Sequence, residues 1–245
     1  MSDNACLALL LDGPMQSWGF ASRFTRRTTA LHPTKSGLIG LIAAAMGINK
    51  FSADEPAQIQ ALSDLHCTTV ALPKRRGPRE LPILRLSDYH TIGGGYDKRT
   101  ESMKKPRAAS GATLETVLSE RDYLLDARFG ALFEGELGWL TQIAEKLRDP
   151  VWGVWLGRKC CIPAAPLLAG VGENRDAAWK LLLRAAELDG TALLTHFDHL
   201  VEGGEAEGLD GDWLNDQPVA FGAPVGGRHT KRRVRHIRRK QDGPL

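Results

Sequence analysis

No apolar run in the 245-residue sequence approaches the roughly 18 residues that a membrane-spanning helix requires, so we expect no membrane partner. The first residues lead directly into a strand-like run, without the basic segment and cleavage site of a secretory signal, which favours a cytoplasmic protein. Cysteine is scarce as well. No two of the four cysteines have the two-residue spacing of a metal knuckle or a redox motif, so we expect reduced thiols.

Sequence motifs of common enzyme classes are also missing. The order Thr34-Lys35-Ser36-Gly37 resembles part of a nucleotide-binding P-loop, but that loop needs a glycine immediately before the lysine. No nucleophile elbow, paired-carboxylate signature or dinucleotide-binding glycine motif occurs. His196 and His199 form the densest histidine cluster, but on a strand they would point to opposite faces, and no third ligand has a recognisable spacing. We therefore predict neither a cofactor nor a metal site.

Charge is distributed unevenly along a chain of ordinary composition, with 42% hydrophobic and 25% charged residues and a net charge of +3. Basic residues gather in segments 23–27, 98–107 and 228–240, and the last of these has eight Lys or Arg and no acidic residue. Acidic residues gather in segment 202–216. Unmixed basic runs favour a polyanion such as nucleic acid as partner, with a solvated basic surface as the alternative.

Residues 35–46 are predicted to form a largely buried helix with both ends marked. Thr34 is a good N-cap, and Gly47 stands where a left-handed C-cap is needed. Lys35 and Ser36 would lie beside the unpaired N–H groups of the first turn, which is a natural position for a phosphate. An ordinary capped core helix is the alternative interpretation.

Strands and helices are mixed without strict alternation, and several predicted strands fall in consecutive pairs. This pattern favours an α+β fold, and a ferredoxin-like (RRM-like) core fits residues 1–150. A smaller β-rich part would follow over residues 151–245, ending in a basic tail at 228–240. The polar, basic and glycine-rich segment 93–111 is interpreted as the tip of a long hairpin, a thumb of about residues 90–112, or as a mobile loop.

Four sequence blocks in this order resemble the CasD family, the CRISPR-associated subunits of type I-E Cascade. They are LDGPMQSWG at residues 11–19, PTKSGLIGL at 33–41, DYHT at 88–91 and LGRKC at 156–160. The resemblance implies a ferredoxin-like domain of the repeat-associated mysterious protein (RAMP) type with a β-hairpin thumb. It also implies a non-catalytic subunit that holds the 5′ handle of CRISPR RNA (crRNA) and contacts the backbone and large subunits. Target DNA at the PAM-proximal end is a further candidate partner.

The expected RNA-binding residues come from the basic segments, the loop aromatics, the predicted helix N-terminus and the family resemblance. Single-stranded RNA is usually bound by aromatic or Arg stacking together with hydrogen bonds to base edges. The predicted set is Gln16, Ser17, Trp18, Arg26, Arg27, Lys35, Ser36, Arg85, Tyr89, His90, Lys98, Arg99, Lys104, Lys105, Arg107, Arg121, Trp155, Leu156, Gly157, Arg158 and Lys159.

An enzymatic alternative remains open at this stage. Tyr89 and His90, beside Arg85 and the basic loop, could support metal-independent cleavage of CRISPR repeat RNA. In that reaction one residue activates the ribose 2′-hydroxyl, and cations stabilise the developing negative charge. A related family branch, in type I-C systems, does cut the repeat RNA.

Overall fold

The computed structural model describes residues 4–20, 25–92, 117–203, 211–222 and 227–239. None of the helices in these ranges is long and apolar enough to cross a membrane. The strands are β1 (Asn4–Asp12), β2 (Met15–Gln16), β3 (Arg26–Arg27), β4 (His66–Ala71), β5 (Lys74–Arg76), β6 (Arg79–Leu81), β7 (Leu84–Ile92), β8 (Val117–Leu125), β9 (Arg128–Glu136), β10 (Leu168–Gly172), β11 (His199–Glu202), β12 (Asp212–Ala220) and β13 (Arg228–Ile237). The helices are α1 (Lys35–Met46), α2 (Glu55–Ser63), α3 (Leu137–Arg148) and α4 (Arg175–Ala185), with a 3-10 turn at Leu194–His196.

Seven strands form one sheet in the order β10-β1-β9-β4-β11-β13-β12. Every neighbouring pair in this sheet is antiparallel. The sheet takes strands from both sides of residue 150, because β10 and β11–β13 extend the part that β1, β4 and β9 begin. The architecture is therefore mixed α and β with antiparallel sheets, which agrees with the predicted class in its coarse form.

Strand β1 lies inside the sheet and is covered on both faces. Leu7, Leu9 and Leu11 join the core beneath α1, α2 and α3. Cys6 and its alternate neighbours Ala8 and Leu10 join a second core beneath α4. Successive side chains of a strand point to opposite faces, so a strand covered on both sides needs an unbroken apolar run. The strand-like run noted at the start of the sequence is therefore confirmed as a strand.

Helix α1 has the ends that its sequence predicted. The Thr34 side chain accepts a hydrogen bond from the Gly37 N–H over 3.3 Å, which caps the first turn. Gly47 closes the helix at φ 74°, a left-handed conformation that glycine adopts without strain. Gly37 lies against the Trp18 ring, since a β-carbon at this position would come within 2.8 Å of it. The helix interpretation is confirmed, and it fixes the position of the candidate site below.

The C-terminal part differs from prediction. The basic run that was expected to be a tail is strand β13, hydrogen-bonded between β11 and β12. Its alternate residues Arg232 and Val234 are buried, and this period-2 burial was hidden by the surrounding basic residues. His196, considered above on a strand with His199, lies in a 3-10 turn, and β11 begins only at His199.

A second sheet stands beside the first, in the order β2-β8-β3, with β7 also paired to β8. Strands β7 and β8 pair over their whole length, from Leu84 opposite Leu125 to Ile92 opposite Val117. The thumb tip predicted from the sequence is the segment between these two strands. Residues 93–116 lie outside the described ranges.

Candidate nucleic-acid interface

The N-terminus of α1 is occupied by a side chain of the same protein. The Lys35 backbone N–H donates a hydrogen bond to Oδ2 of Asp216, which lies on β12, over 2.8 Å. A carboxylate suits this position because the first N–H groups of a helix are unpaired and its dipole is positive there. The predicted place for a phosphate at this backbone group is therefore already taken by Asp216.

A buried cluster of four charged side chains surrounds this contact. The Lys35 Nζ atom lies 2.8 Å from Glu202, which also accepts a hydrogen bond from Arg232 Nη1 over 2.9 Å. Arg232 Nε donates to Asp216 Oδ1 over 2.6 Å. Burial alone would raise the pKa of the Asp216 carboxyl, but the hydrogen bonds and charge of Arg232 outweigh it and hold that pKa below its ordinary value. The two cations and two anions of the cluster thus balance one another.

Lys35, whose ammonium is expected to bind a phosphate, pairs in this structure with a carboxylate of the same protein. Its side chain is only 2% exposed and is directed at Glu202. Sequence reasoning missed Glu202, Asp216 and Arg232, because it placed the first two only in the acidic segment 202–216 and the third in a basic tail. The sequence feature that could have indicated Asp216 and Arg232 is their spacing from the apolar residues of the C-terminal strands. Alternate residues of these strands are buried, and both charged residues occupy buried positions.

An open cleft of about 320 Å³ lies beside the first turn of α1. It gathers six residues of the predicted RNA-binding set from four separate parts of the chain. It also includes Phe221 and His229, whose rings meet edge to face with centroids 6.4 Å apart and which sequence reasoning missed. The lining residues are Ser17, Trp18, Gly19, Arg27, Thr34, Ser36, Gly37, Gly157, Arg158, Phe221 and His229.

The side chains at the floor of the cleft are buried and hydrogen-bonded, so they are not available for base stacking. Trp18 is fully buried, and its Nε1 donates to Oε1 of Gln16 over 3.0 Å. Gln16 Nε2 in turn donates to the carbonyls of Leu11 and Ala127. Ser17 is buried too, with its hydroxyl bonded to the Asp122 carbonyl. The Gln16 and Trp18 side chains, which are expected to contact RNA, are thus buried in this structure and hydrogen-bonded within the loop and to its neighbours.

Gly157 and Arg158 form one wall of the cleft. A β-carbon on Gly157 would fall 1.8 Å from the Ser17 carbonyl oxygen, so only glycine allows this approach. The Arg158 guanidinium donates to the carbonyls of Asp122 over 3.0 Å and of Arg27 over 2.7 Å. It also lies over the Tyr123 ring, 4.6 Å from the centroid. These contacts fix the guanidinium and leave its other N–H groups for a ligand.

Arg27 and Arg121 extend the basic surface onto the second sheet. Both side chains project from the same face, because Arg27 is directly opposite Arg121 in the β3–β8 ladder. Arg121 is also opposite Asp88 on β7, and its Nε donates to the Ser119 hydroxyl over 3.1 Å. Arg26 and its ladder partner Glu120 project to the other face. Of the two adjacent arginines, only Arg27 therefore lines the cleft.

Tyr89 and His90 do not share a face of β7. His90 is opposite Ser119, on the Arg121 face, and its Nδ1 lies 3.4 Å from Asp88 Oδ2. Tyr89 is opposite Glu120 on the reverse face and is 65% exposed. Arg85, an exposed residue of β7, shares the Tyr89 face by strand alternation. The structure does not bring the three residues of the enzymatic alternative to one point.

The remaining predicted residues differ in their exposure. Lys159 is exposed, Ser36 and Trp155 are half-buried, and Leu156 is a fully buried core residue that cannot touch RNA with its side chain. No group of three or more potential metal ligands occurs among the described residues. The predicted thumb residues Lys98, Arg99, Lys104, Lys105 and Arg107 lie outside the described ranges.

Comparison with known proteins identifies the family of the chain. The family model described as CRISPR-associated protein (Cas5) matches residues 6–239. CasD, the CRISPR system Cascade subunit of Escherichia coli strain K12, is 31% identical over 189 residues, 72% of this chain and 75% of that protein. A chain of a CRISPR RNA-guided surveillance complex has a TM-score of 0.70 and 28% identity, over 95% of this chain and 89% of its own. A Cas protein crystal structure at 24% identity and TM-score 0.56, covering 94% and 93%, shares the fold. These matches confirm the resemblance: the chain belongs to the Cas5 family of CRISPR-associated proteins and is a homologue of the Cascade subunit CasD.

Proposed function

We propose that the protein is a non-catalytic subunit of a type I-E Cascade complex that binds and caps the 5′ handle of crRNA in the cleft beside α1. The observation that carries this proposal is the composition of the cleft. Arg27, Arg158 and His229 line it together with hydroxyl and backbone donors, and none of its described lining residues is acidic. A phosphodiester chain fits such a surface, because the arginines match its negative charge and the hydroxyl and N–H donors match its oxygen acceptors.

His229 gives the cleft a group that can contact a base edge. Burial lowers the pKa of its imidazole, and the charge of Asp216 opposes this only in part. A neutral ring has one N–H donor and one acceptor nitrogen, which is the pairing that base edges offer. The ring also has Phe221 beside it, so a splayed base has an aromatic neighbour.

We further propose that the first part of the chain is a ferredoxin-like RAMP domain. Two observations support this: the sheet order β10-β1-β9-β4, and the placement of α1 and α2 between β1 and β4 and of α3 between β9 and β10. The boundaries expected from the sequence, 1–150 for the RNA-binding domain and 151–245 for the remainder, divide this sheet. Strand β10 supplies the edge of that sheet from beyond residue 150.

The β7–β8 hairpin is the proposed thumb that contacts adjacent backbone subunits. Its exposed apolar side chains, including Leu84 at 55% and Leu118 at 42% exposure, support a protein contact. Contacts with the large subunit and with target DNA at the PAM-proximal end, and a cytoplasmic location, remain proposals that rest on the family relationship.

The proposed function is tested with 5′-labelled CRISPR repeat RNA and the purified protein in EDTA, on parallel native and denaturing gels. We expect a shifted band that remains uncut. Metal-independent cleavage, the alternative with Tyr89 and His90, is disfavoured because the two side chains project from opposite faces of β7. A discrete cut that disappears in His90→Ala would overturn the non-catalytic proposal. RNA that is neither cut nor shifted, with the partner subunits present as well, would overturn the handle-binding proposal.

Removing two cleft-side arginines should weaken the electrostatic part of RNA binding. For the double variant Arg27→Gln/Arg121→Gln, we expect the log–log dependence of affinity on salt to become shallower by about 1.4, since each single-strand phosphate contact contributes roughly 0.7. Fluorescence anisotropy with handle RNA over a salt series measures this slope. The control Arg75→Gln/Arg76→Gln removes the same charge from the exposed β5 strand. Equal slopes in both double variants would contradict the assignment of the cleft.

A further inference from the structure

The sheet face that packs against α4 is only partly covered. Helix α4 packs against β10, β1 and β9 and closes the second core there. Helices α1 and α2 contact β12 from the opposite face, the side on which Asp216 meets α1. On the α4 side, strands β11, β13 and β12 therefore extend the sheet beyond the area that α4 covers.

Ladder register places two arginines and one tryptophan on this open area. Arg235 is opposite Val201, which is opposite Thr68, so all three project from the α4 side. Arg233 lies two residues from Arg235 on the same strand, and Trp213 of β12 is directly opposite it. Trp213 is 61% exposed, although a large aromatic side chain usually has its ring covered.

A third guanidinium lies at the border between α4 and this area. Arg175, the first residue of α4, donates from Nη2 to the Thr68 hydroxyl over 2.8 Å and approaches Glu134 at 3.6 Å. Within the described ranges Arg233 and Arg235 form no ion pair. We call the surface formed by Arg175, Arg233, Arg235 and Trp213 the basic sheet face.

Strand β13 therefore directs its arginines to two different environments. Arg232 points toward α1 and is neutralised by Asp216 and Glu202. Its neighbour Arg233 and the next outward residue, Arg235, point the other way and are half-buried. Their Nε atoms are buried without a hydrogen-bond partner in the described part of the chain. A buried Nε donor without a partner is costly unless an acceptor or water binds it.

We propose that the basic sheet face binds a segment of single-stranded RNA, with phosphates on Arg233 and Arg235 and a base stacked on Trp213. Charge complementarity and the exposed aromatic select this partner over a duplex, whose bases are already stacked. The two arginine Cα atoms stand roughly 6.8 Å apart, two residues along a strand, so each can reach a different phosphate. Arg233 and Arg235 project to the opposite side of β13 from Arg232, and none of the four residues of this surface lines the cleft, so it is a second site.

The test compares Arg233→Gln/Arg235→Gln with the wild-type full-length chain by anisotropy, using a labelled single-stranded RNA without secondary structure. We expect the salt slope to become shallower by about 1.4, for two lost phosphate contacts at roughly 0.7 each. Trp213→Ala should weaken binding by about fivefold or more at constant slope, because it removes stacking and no charge. Trp213→Phe should restore most of the affinity, which a merely structural role of the indole would not predict.

The matched control is Arg148→Gln/Arg184→Gln, which removes two exposed arginines at the ends of α3 and α4. An unchanged slope in Arg233→Gln/Arg235→Gln, or an equal change in the control, would overturn the proposal. A loss of affinity seen only with duplex RNA, or only with single-stranded DNA, would also overturn the proposal, because the surface would then bind a different nucleic acid. Handle binding is measured in parallel with the cleft variant Arg27→Gln/Arg121→Gln, so failure of one site is distinguishable from failure of the other.

Discussion

Replacing Gly157 with alanine is expected to destabilise the protein severely and to lower its RNA affinity. The new β-carbon would lie 1.8 Å from the Ser17 carbonyl oxygen, and φ at this residue is +97°. The clash involves backbone atoms and cannot be relieved by a side-chain rotation, so overpacking and backbone strain add to about 2–6 kcal/mol. Urea unfolding measures the stability, and a native gel with handle RNA measures the affinity.

Gly77→Ala is the matched control for this substitution. Gly77 also has a positive φ, +59°, but a β-carbon there would meet no atom within 4 Å. It should therefore show only the backbone cost of a left-handed alanine, about 1–2 kcal/mol, and unchanged RNA binding. If the two variants lose the same free energy of unfolding, the close approach of Gly157 to Ser17 has no energetic importance.

The Arg232→Met variant should lose about 3–5 kcal/mol of unfolding free energy, because it leaves Asp216 and Glu202 with a single buried cation. The loss should extend to RNA affinity, since Asp216 holds the first turn of α1 from which the cleft is built. Denaturant unfolding combined with RNA anisotropy measures both effects on the same preparation.

A second arginine of the same C-terminal segment provides the control. Arg239 pairs with Glu80 at 3.3 Å, but both side chains are well exposed. Exposed ion pairs contribute little, so Arg239→Met should cost less than about 1 kcal/mol and leave RNA binding intact. A loss in Arg232→Met as small as in Arg239→Met would show that the buried cluster does not stabilise the fold.

The same cluster should make the stability of the protein depend on pH in the acid range. Because the folded-state pKa of Asp216 is lowered, its ionised form contributes stability at pH values above the unfolded pKa of about 3.9. This contribution is lost as the pH falls through the lower folded value. We expect Asp216→Asn to be less stable than the wild type at neutral pH and the difference to shrink below about pH 4. A difference that is constant with pH would contradict an ionised Asp216.

The cluster also explains why residues far apart in sequence act on one site. Lys35 and Asp216 are 181 positions apart, yet the helix N-terminus beside the cleft is completed by the carboxylate of β12. A substitution in the C-terminal strands can therefore change RNA binding without touching RNA. We expect variants of the buried cluster to show reduced stability together with reduced affinity, whereas variants of exposed cleft arginines should reduce affinity alone.

Local chemistry was enough to predict α1 and β1. The Thr34 cap, the Gly47 terminus and the apolar run of β1 each specify their conformation through nearest neighbours in the chain. The four motif blocks identified the family in the same way, because they are contiguous. Several residues of the predicted set, including Arg27, Gly157 and Arg158, also meet in one cleft as expected of a shared site.

The sequence alone determined which elements form at the start of the chain and which family it belongs to, since caps, apolar runs and motifs are local properties. Only the tertiary structure decided which charged groups are available. Lys35 and Arg232 are buried among carboxylates, while Arg27, Arg233 and Arg235 form no ion pair within the described ranges. The reason is physical. Whether a charged side chain is buried in an ion pair or left available depends on the partners that long-range strand pairing brings to it, and those partners have no fixed spacing in the sequence.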